Sequence, residues 1–352
     1  METPVAVGNT DVRRIALTGG GTAGHITPLL ALVPHLKEAF SKIIFIGSHA
    51  DMDKDMVAGN LPFFGLDSPK FVRSNLLSAF KIPKKLAAAV KAAKDILVNE
   101  GISVVFSKGG FAALPTCLAA RKLKIPVVTH ESDFSLGLSN RIISKFAAKT
   151  LSSFDSIKGA TEVGSPVRNS VLNGSGEKAK IFLFNTFGTT PCPKLPVVLI
   201  FGGSLGAKAI NEAVSEALPK LTESFTVIHI IGKDNEASPS KNYFPLKFAD
   251  NMGDLFALSS VVVCRGGSNS LFEAASLNKR CVCIPLPKGA SRGDQIQNAE
   301  YFAKKGWVSV LRQEDLTADR LFTEIAKKFN EPKPDCGVKN ACENICGILK
   351  SF

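Results

Sequence analysis

Three glycine-rich loops carry the residue types that proteins use to hold phosphate groups. Their sequences are TGGGTAGH at residues 18–25, FGGSLGA at 201–207 and CRGGSNSLFE at 264–273. Each loop follows an apolar run and precedes a helical pattern, and the backbone N–H groups at a helix N-terminus attract oxyanions. The sequence therefore predicts sites for a diphosphate or a similar anion.

The first loop fits a dinucleotide-binding pattern only in part. Gly19, Gly21 and Gly24 match G-x-G-x-x-G after a strand and before a helix. That pattern also needs an acid at the end of the second strand, where this chain has Gly-Ser-His at 47–49. A dinucleotide cofactor is therefore disfavoured. His25 follows the loop and either caps the helix or removes a proton from an attacking hydroxyl group, since an imidazole titrates near neutral pH.

The second and third loops add polar side chains to the glycine backbone. Ser204 is placed to donate to a phosphate oxygen, and Arg265 directly follows an apolar strand. Glu273 lies a turn inside the next helix, where it either accepts hydrogen bonds from a ribose diol or interacts favourably with the helix dipole. Candidates for binding sugar hydroxyl groups follow at Asp294, Gln295 and Asn298.

Two further polar loops follow strands in the first half of the chain, at residues 107–111 and 130–140. Both are candidates for a ligand-binding surface. For His130 and Glu131, a buried structural role at a strand end is an equally good interpretation.

The elements that must position these loops alternate between apolar strands and helices. This alternation predicts parallel sheets covered by helices on both faces. The pattern pauses at residues 164–195, which are rich in Gly, Ser and Asn and are interpreted as an interdomain linker. We expect an α/β fold of two Rossmann-like, doubly wound domains, at residues 1–165 and 166–335, that face each other across a cleft lined by the loops.

Composition limits the class of protein. The chain has 352 residues, 45% of them hydrophobic and 21% charged, which excludes wholesale disorder and fits two domains. No apolar run is long enough to span a membrane, and acids precede the first apolar stretch, so we expect no secretory signal. Cys264, Cys281 and Cys283 lie in apolar runs, as reduced and buried thiols do. We therefore expect a cytoplasmic protein.

A net charge of +12, from 43 Lys and Arg against 31 Asp and Glu, points to an anionic partner. Residues 70–94 contain seven basic residues and no acid, interleaved with large apolar side chains. This pattern predicts contact with an anionic membrane surface, and an amphipathic helix with a solvated lysine face is the alternative. Nucleic acid is disfavoured because no recognised binding module is present. The predicted membrane contacts are Phe71, Arg73, Leu76, Leu77, Phe80, Lys81, Lys84 and Lys85.

Six segments occur in one order along the chain: GGGTAGHITP, HESDFSLGLSN, GSPVR, GGSLGA, CRGGSNSLFEAA and GDQIQNA. Together they resemble the MurG family, which belongs to glycosyltransferase family 28. The resemblance implies a GT-B fold and an inverting transfer of N-acetylglucosamine from UDP-GlcNAc to the 4-hydroxyl of the N-acetylmuramoyl unit of lipid I, giving lipid II for peptidoglycan synthesis. It implies no cofactor and no metal.

The same resemblance implies how the chain is organised around its substrates. The second domain would bind the UDP-sugar, and the first would bind lipid I and the inner membrane surface. The last segment, 336–352, would pack back on the first domain. The enzyme would be peripheral, at the cytoplasmic face of the cell membrane.

The resemblance also implies roles for residues that match the family's motifs. His25 is the expected base, and Glu273 is expected to bind the ribose. Asp133 stands where the family usually has asparagine, so its contact with a substrate is open. The expected substrate-binding residues are Thr22, Ala23, Gly24, Asp133, Arg168, Ser204, Arg265, Ser268, Glu273 and Gln295.

Three other functions are compatible with parts of this pattern. A GT-B transferase acting on diacylglycerol or another lipid would share the second and third loops and the basic stretch, and its acceptor would distinguish it. A UDP-GlcNAc 2-epimerase would need several acid–base residues around the sugar and no membrane-binding patch. A non-enzymatic module that binds nucleotide sugars would not need His25.

Overall fold

The structure is a computed structural model that describes residues 13–68, 82–203, 206–289 and 293–352. Its first elements are β1 (Arg14–Thr18), α1 (Ala23–Leu36), β2 (Lys42–Ser48), α2 (Asp51–Val57), β3 (Phe63–Leu66), α3 (Ile82–Asn99), β4 (Val104–Ser107), α4 (Ala113–Lys122), β5 (Val127–Glu131), α5 (Leu138–Ile143) and β6 (Lys149–Ser152). They are followed by β7 (Thr161–Glu162), α6 (Asn169–Leu172), α7 (Gly176–Phe187), β8 (Val197–Phe201), α8 (Lys208–Ser224), β9 (Thr226–Ile230), β10 (Tyr243–Leu246), α9 (Met252–Leu258), β11 (Val261–Cys264), α10 (Ser268–Ser276), β12 (Arg280–Cys283), α11 (Asp294–Lys304), β13 (Val308–Val310), a 3₁₀-helix (Gln313–Asp315), α12 (Ala318–Asn330) and α13 (Cys342–Leu349).

The strands form two parallel sheets, which confirms the predicted α/β class. The first sheet has the order β3-β2-β1-β4-β5-β6-β7, and the second has the order β10-β9-β8-β11-β12-β13. In the first sheet, Ile15 of β1 pairs with Ile43 of β2 on one side and Val104 of β4 on the other. The strand order reverses at β1 and at β8, and open parallel sheets bind ligands beyond the strand ends at such points.

The strand pattern does not predict β3, β7 and β10, and all three lie at sheet edges. An edge strand is short and paired on one side only, so it lacks the long apolar run of a central strand. Strand β10 also contains Pro245, whose nitrogen carries no hydrogen and so cannot donate to a neighbouring strand. The strand pattern therefore predicts the central strands and one edge strand, β13, but not the other three edge strands of the described sheets.

The interpretation of residues 164–195 as a linker is wrong. Helices α6 and α7 occupy much of this segment, and Val171 and Leu183 are buried in the core around the second sheet. The small polar residues here are helix ends. The Ser175 hydroxyl accepts a hydrogen bond from the first turn of α7, and Gly188 ends the helix with a φ of 71°.

Contacts within the chain divide it into two compact units. The first contains the residues up to His130, Gly137–Leu151 and Glu343–Phe352. The second contains Glu131–Leu136 and Ser152–Cys342. These limits differ from the predicted boundary between 165 and 166. The prediction relied on the turn residues after 163, but the chain already packs in the core of the second unit from Ser152.

Phe154 shows why the second unit begins before residue 165. Its ring packs edge-on against Phe272 and Tyr301, with centroids 5.4 and 4.9 Å away. Aromatic pairs in this geometry stabilise a core beyond the area they bury. Cys336, at the start of the predicted last segment, is also buried in this core. The segment 336–352 is therefore divided between the two units.

The end of the chain belongs to the first unit. Ile345 and Leu349 of α13 are fully buried, and the Arg13 guanidinium donates a hydrogen bond to the carbonyl oxygen of Lys350. Burial of two large aliphatic side chains supplies several kcal/mol, roughly 1.5–3 kcal/mol each, toward holding this helix in place.

The cysteines behave as apolar side chains. All eight are free, and Cys264, Cys281 and Cys283 are fully buried on neighbouring strands, as predicted. Burial raises the pKa of the Cys283 thiol well above its ordinary value, which keeps it protonated and unreactive.

Candidate functional site

The first glycine loop joins the end of β1 to the start of α1 in the first unit. Gly20 and Gly21 have φ values of 145° and 80°, which residues with side chains rarely adopt. A Cβ atom at Gly20 would lie 2.2 Å from Asp53 Oδ2, and one at Gly21 would lie 2.3 Å from Phe111 Cε1. The loop therefore fits between Asp53 and Phe111 only because these positions carry no side chain.

Asp53 is a buried carboxylate that sequence reasoning missed. Its Oδ1 and Oδ2 atoms accept hydrogen bonds from Gly21 N at 3.0 and 3.2 Å. Oδ2 also accepts from Ser48 N at 3.0 Å and from Ser48 Oγ at 2.6 Å. The N–H of Gly21 therefore donates to a protein carboxylate. The predicted anion site of this loop has one N–H donor fewer than the sequence suggests.

His25 lies in the first turn of α1 and is half-buried. Its Nδ1 atom is 2.8 Å from the Oγ1 atom of the exposed Thr22. When Nδ1–H donates to this hydroxyl, the imidazole is neutral and its lone pair is on Nε2, which is the form a general base needs. Gly110 borders the ring, since a Cβ there would lie 3.5 Å from His25 Nδ1.

A buried lysine–histidine pair joins the ends of β4 and β5 in the first unit. Lys108 Nζ is 2.5 Å from His130 Nδ1, and both side chains are almost fully buried. An ammonium group has only donors, so His130 accepts at Nδ1 and is neutral with its proton on Nε2. Asn140 holds the same strand end, because its Nδ2 donates to the His130 carbonyl oxygen at 3.2 Å. His130 thus lies at a buried strand end, as the structural interpretation predicts.

The second unit contains a cavity of about 640 Å³ beside the carboxyl ends of its strands. This volume lies within the range of small-molecule sites. The residues that line it include Gly203, Gly206, Lys208, Arg265, Gln295 and Gln313. Two predicted substrate-binding residues, Arg265 and Gln295, therefore share one cavity. The predicted Ser204 lies outside the described residues.

Helix α8 begins at the wall of this cavity. Its N-cap residue, Ala207, supplies no side-chain hydrogen bond, so the first N–H groups are not capped from that position. The helix has 17 residues, and its dipole places partial positive charge at this end. Gly206 has a φ of 77° and closely approaches the Ile231 carbonyl oxygen, which a side chain would prevent.

A buried polar network fixes α8 against the sheet. Asn211 Nδ2 donates to the Ile231 carbonyl oxygen at 2.9 Å, and Asn211 Oδ1 lies 3.2 Å from His229 Nε2. Tyr243 Oη is 3.2 Å from His229 Nδ1. Burial lowers the pKa of His229 to about 4, so the ring is neutral: Nε2–H donates to Asn211 and Nδ1 accepts from Tyr243.

Arg265 brings a fixed positive charge to the cavity. It is the first residue after β11, and its Nη1 atom donates to the Ile284 carbonyl oxygen at 3.2 Å. This contact orients the guanidinium. Burial lowers the pKa of Arg265, but a guanidinium stays protonated in proteins.

Arg168 and Glu273 form an ion pair in the second unit. The Arg168 Nη2 and Glu273 Oε1 atoms are 3.4 Å apart, and the Glu273 side chain is 13% exposed. Burial raises the pKa of Glu273, and the nearby Arg168 charge opposes that effect. These two predicted residues contact each other, and neither is among those that line the cavity.

Asp133 contacts a protein side chain within the second unit. Its Oδ1 atom accepts a hydrogen bond from Asn298 Nδ2 at 3.0 Å. Asn298 Nδ2 also donates to the Gly266 carbonyl oxygen at 3.1 Å, and Asn298 Oδ1 accepts from Phe134 N at 2.9 Å. Both ends of the buried Asn298 amide are therefore bonded to protein, and its contact with a sugar hydroxyl group stays a prediction.

Ser268 is also held by the protein, because its hydroxyl donates to the Ser132 carbonyl oxygen. The predicted residues thus fall into four groups. Thr22, Ala23, Gly24 and His25 share the first loop; Arg265 and Gln295 share the cavity; Arg168 pairs with Glu273; and Asp133 and Ser268 contact other parts of the second unit.

Only part of the predicted membrane-binding stretch is described. Lys84 and Lys85 are exposed in the first turn of α3. The other predicted contacts lie outside the described residues: Phe71, Arg73, Leu76, Leu77, Phe80 and Lys81. Among the helices that the structure describes, none is both long and apolar enough to cross a bilayer.

The chain is similar to proteins named UDP-N-acetylglucosamine–N-acetylmuramyl-(pentapeptide) pyrophosphoryl-undecaprenol N-acetylglucosamine transferase. The Clostridium botulinum protein is 40% identical over 346 residues, which are 95% of this chain and 94% of the relative. The Lachnoclostridium phytofermentans protein is 38% identical over 96% of this chain and 99% of the relative.

Solved structures share the fold. The crystal structure of Acinetobacter baumannii MurG superposes with a TM-score of 0.75 at 24% identity, covering 97% of this chain and 100% of that one. The UDP-GlcNAc 2-epimerase of Methanocaldococcus jannaschii has a TM-score of 0.60 at 15% identity, covering 96% and 99%. These likenesses place the two sheets in the GT-B fold.

Two family profiles cover most of the chain. The glycosyltransferase family 28 N-terminal domain matches residues 15–152, and the glycosyltransferase family 28 C-terminal domain matches residues 197–341. With relatives at about 40% identity over nearly the whole length, these matches show that the chain belongs to glycosyltransferase family 28.

Proposed function

We propose that this chain transfers N-acetylglucosamine from UDP-GlcNAc to the 4-hydroxyl of the N-acetylmuramoyl unit of lipid I, giving lipid II for peptidoglycan synthesis. Relatives that match nearly the whole chain are named for this transfer. The observation that carries the proposal is the cavity of the second unit, where the start of α8 and Arg265 supply the positive charge that a diphosphate needs.

The second unit supplies the donor half of the reaction. When the sugar leaves UDP, negative charge develops on the diphosphate oxygen that held it. Arg265 and the positive end of α8 are fixed before the reaction, so they offset this charge without reorganising. Gln295 lines the same cavity, and its Oε1 atom accepts a hydrogen bond from Leu286 N at 3.0 Å. This bond orients the amide, whose NH₂ group then donates to the sugar.

The first unit supplies the acceptor half. His25 takes the proton of the acceptor hydroxyl while the oxygen forms its bond to C1 of the sugar and the bond from C1 to the phosphate oxygen breaks. Thr22 holds Nδ1, so that Nε2 receives the proton. A single displacement inverts the anomeric carbon, and no covalent intermediate with the protein is formed.

The test is a transfer assay with the full chain and labelled UDP-GlcNAc. Three reactions are compared: with a lipid I analogue, with diacylglycerol, and without acceptor. We expect label in the lipid I analogue and release of UDP. Label in diacylglycerol, formation of UDP-N-acetylmannosamine without acceptor, or nucleotide-sugar binding without turnover would each contradict the proposal and identify one of the three alternatives.

Glu273 is proposed to bind the ribose diol of UDP. Replacing it with alanine should weaken UDP binding by about 10-fold or more, since hydrogen bonds to a charged group contribute roughly 1.5–3 kcal/mol. Calorimetry with UDP and with 2′,3′-dideoxy-UDP separates this role from the ion pair with Arg168. The loss should largely disappear for the dideoxy nucleotide.

A loss of equal size for both nucleotides would mean that Glu273 acts only through Arg168. Glu216→Ala is a matched control, because Glu216 is an exposed carboxylate on α8. It should leave the affinity for both nucleotides unchanged.

We further propose that the enzyme works as a peripheral protein at the cytoplasmic face of the cell membrane. Its acceptor is lipid-linked, and the chain carries seven basic residues and no acid at 70–94. Exposed lysines next to an anionic bilayer are attracted to it by roughly 1 kcal/mol each. Four lysines of this stretch are described and exposed: Lys84, Lys85, Lys91 and Lys94.

Reversing the charge of Lys84 and Lys85 to glutamate should reduce binding to vesicles rich in phosphatidylglycerol by at least about 10-fold at low salt. The difference should shrink in 1 M salt, where the Debye length is about 3 Å. Vesicle co-sedimentation measures both. Lys37→Glu with Lys54→Glu makes the same change of charge at exposed sites of the first unit and should bind like wild type. Equal loss in the two double variants would reject a specific basic surface.

A further inference from the structure

The first glycine loop depends on a carboxylate that no motif includes. Asp53 accepts hydrogen bonds from one backbone N–H of the loop and from two groups of Ser48, at the end of the neighbouring strand. It is completely buried, whereas Asp51 and Asp55 on the same short helix are exposed. Among these three acids, only Asp53 faces the loop.

A carboxylate suits this place because Gly21 N, Ser48 N and Ser48 Oγ all donate hydrogen bonds to its oxygen atoms. Gly21 N approaches both oxygens, and Ser48 N and Ser48 Oγ approach Oδ2. An amide of the same shape would set its NH₂ group against an N–H or an O–H. Buried donors left without an acceptor are costly, so the loop would shift to find other partners.

Neighbouring residues block most movements of this loop, so it can shift only away from Asp53. Phe111 borders Gly21 on one side, where even a Cβ atom would come within 2.3 Å of its ring. Gly110 lies against the Gly20 carbonyl oxygen and the His25 ring. Movement of the loop therefore carries the start of α1, which includes Thr22 and His25.

We infer that Asp53 is a positioning residue for the transfer reaction. It anchors the first glycine loop through Gly21 N and thereby fixes the start of α1 and the ring of His25. This inference rests on the proposed function, in which His25 is the base. A general base acts only over hydrogen-bond distance, and a displacement of about 1 Å can cost roughly 100-fold in rate. Loss of the Asp53 contacts should therefore lower the rate of transfer by displacing His25.

The test compares Asp53→Asn with Asp55→Asn, a matched change at an exposed site on the same helix. For Asp53→Asn we expect kcat to fall by about 10- to 100-fold, with the KM for UDP-GlcNAc within about threefold of wild type, because the nucleotide cavity belongs to the second unit. The thermal midpoint should fall by no more than roughly 10 °C. Asp55→Asn should match wild type throughout.

Hydrogen exchange supplies a readout that does not depend on activity. Peptides that cover residues 13–25 should exchange faster in Asp53→Asn than in wild type or Asp55→Asn, because Gly21 N loses its acceptor. Peptides from the second unit should be unchanged. If wild type fails to transfer sugar to lipid I, the proposed function fails, while faster exchange in this one loop still supports Asp53 as its anchor.

Ser48→Ala is the second variant, for the case in which Asp53→Asn does not fold. It removes only the hydroxyl donor at 2.6 Å and keeps the carboxylate and the contact with Gly21 N. We expect a smaller kcat loss, about 3- to 10-fold, with unchanged donor KM. Wild-type kcat in a folded Asp53→Asn or Ser48→Ala variant would overturn the inference. So would an equal rise in donor KM, which would indicate a general effect on the fold.

Discussion

Replacing His25 with alanine is expected to lower kcat by about 10²- to 10⁴-fold, the usual contribution of a general base. The ring is half-buried in the first turn of α1, and Thr22 Oγ1 lies 2.8 Å from its Nδ1 atom. Without the imidazole, the acceptor hydroxyl must lose its proton to water. Transfer from labelled UDP-GlcNAc to a lipid I analogue measures the change.

UDP affinity should remain near the wild-type value in His25→Ala, because the nucleotide cavity is built from residues of the second unit. The acid limb of the pH–rate profile should also disappear, since it reports protonation of the base. His49→Ala is a suitable control, as His49 is exposed in the same unit. Unchanged kcat would exclude His25 as the base, and a matching loss of UDP affinity would make it a donor-binding residue instead.

The parts of this fold that could be predicted from the sequence are those that depend on local pattern. The central strands are apolar runs that end in glycine loops, and β1, β8 and β11 all do so. Three edge strands of the described sheets, β3, β7 and β10, lack this combination of an apolar run and a glycine loop. The helix α7 was hidden for a related reason: its cap residues, Ser175 and Gly188, have the composition of a linker.

The parts that could not be predicted depend on partners distant in the chain. Gly21 and Asp53 are 32 positions apart, and no spacing rule connects a loop glycine to an acid on the next helix. Asp133 and Asn298 are 165 positions apart. Asn298 was interpreted as a sugar contact from its polar side chain, and Asp133 was expected to bind a substrate from the family resemblance. Which polar group binds another protein group can be read only from the packed structure.

The glycine loops predict anion binding from local sequence, but they do not predict which distant side chains bond to them. A loop at a helix start has its N–H groups exposed by geometry alone, so its affinity for anions follows from sequence. In the first unit, the buried Asp53 carboxylate accepts a hydrogen bond from one of these N–H groups, that of Gly21. In the second unit, the start of α8 lines an open cavity beside Arg265. Similar sequences thus give one loop that is bonded to a buried carboxylate beside the proposed base, and one that lines a cavity suited to a diphosphate.

Replacing Arg265 with alanine is expected to lower kcat/KM for UDP-GlcNAc by about 10²- to 10³-fold, the usual cost of removing one fixed donor from a site where charge develops. The guanidinium lines the cavity and is held by the Ile284 carbonyl oxygen at 3.2 Å, so it is already oriented when UDP departs. Most of the loss should appear in kcat, because charge on the leaving diphosphate grows in the transition state. Steady-state kinetics with a lipid I analogue separates kcat from KM.

Arg265→Lys should recover only part of the rate, since an ammonium group keeps the charge but lacks the planar pair of donors that binds a phosphate and the backbone carbonyl together. Arg320→Ala is the control: Arg320 is exposed in the second unit, where it pairs with Asp315, and its loss should not change the kinetics. A rise in KM with unchanged kcat in Arg265→Ala would show that Arg265 binds the donor equally in the ground and transition states. Full activity in Arg265→Lys would show that charge alone is sufficient, and that the orientation set by Ile284 is not needed.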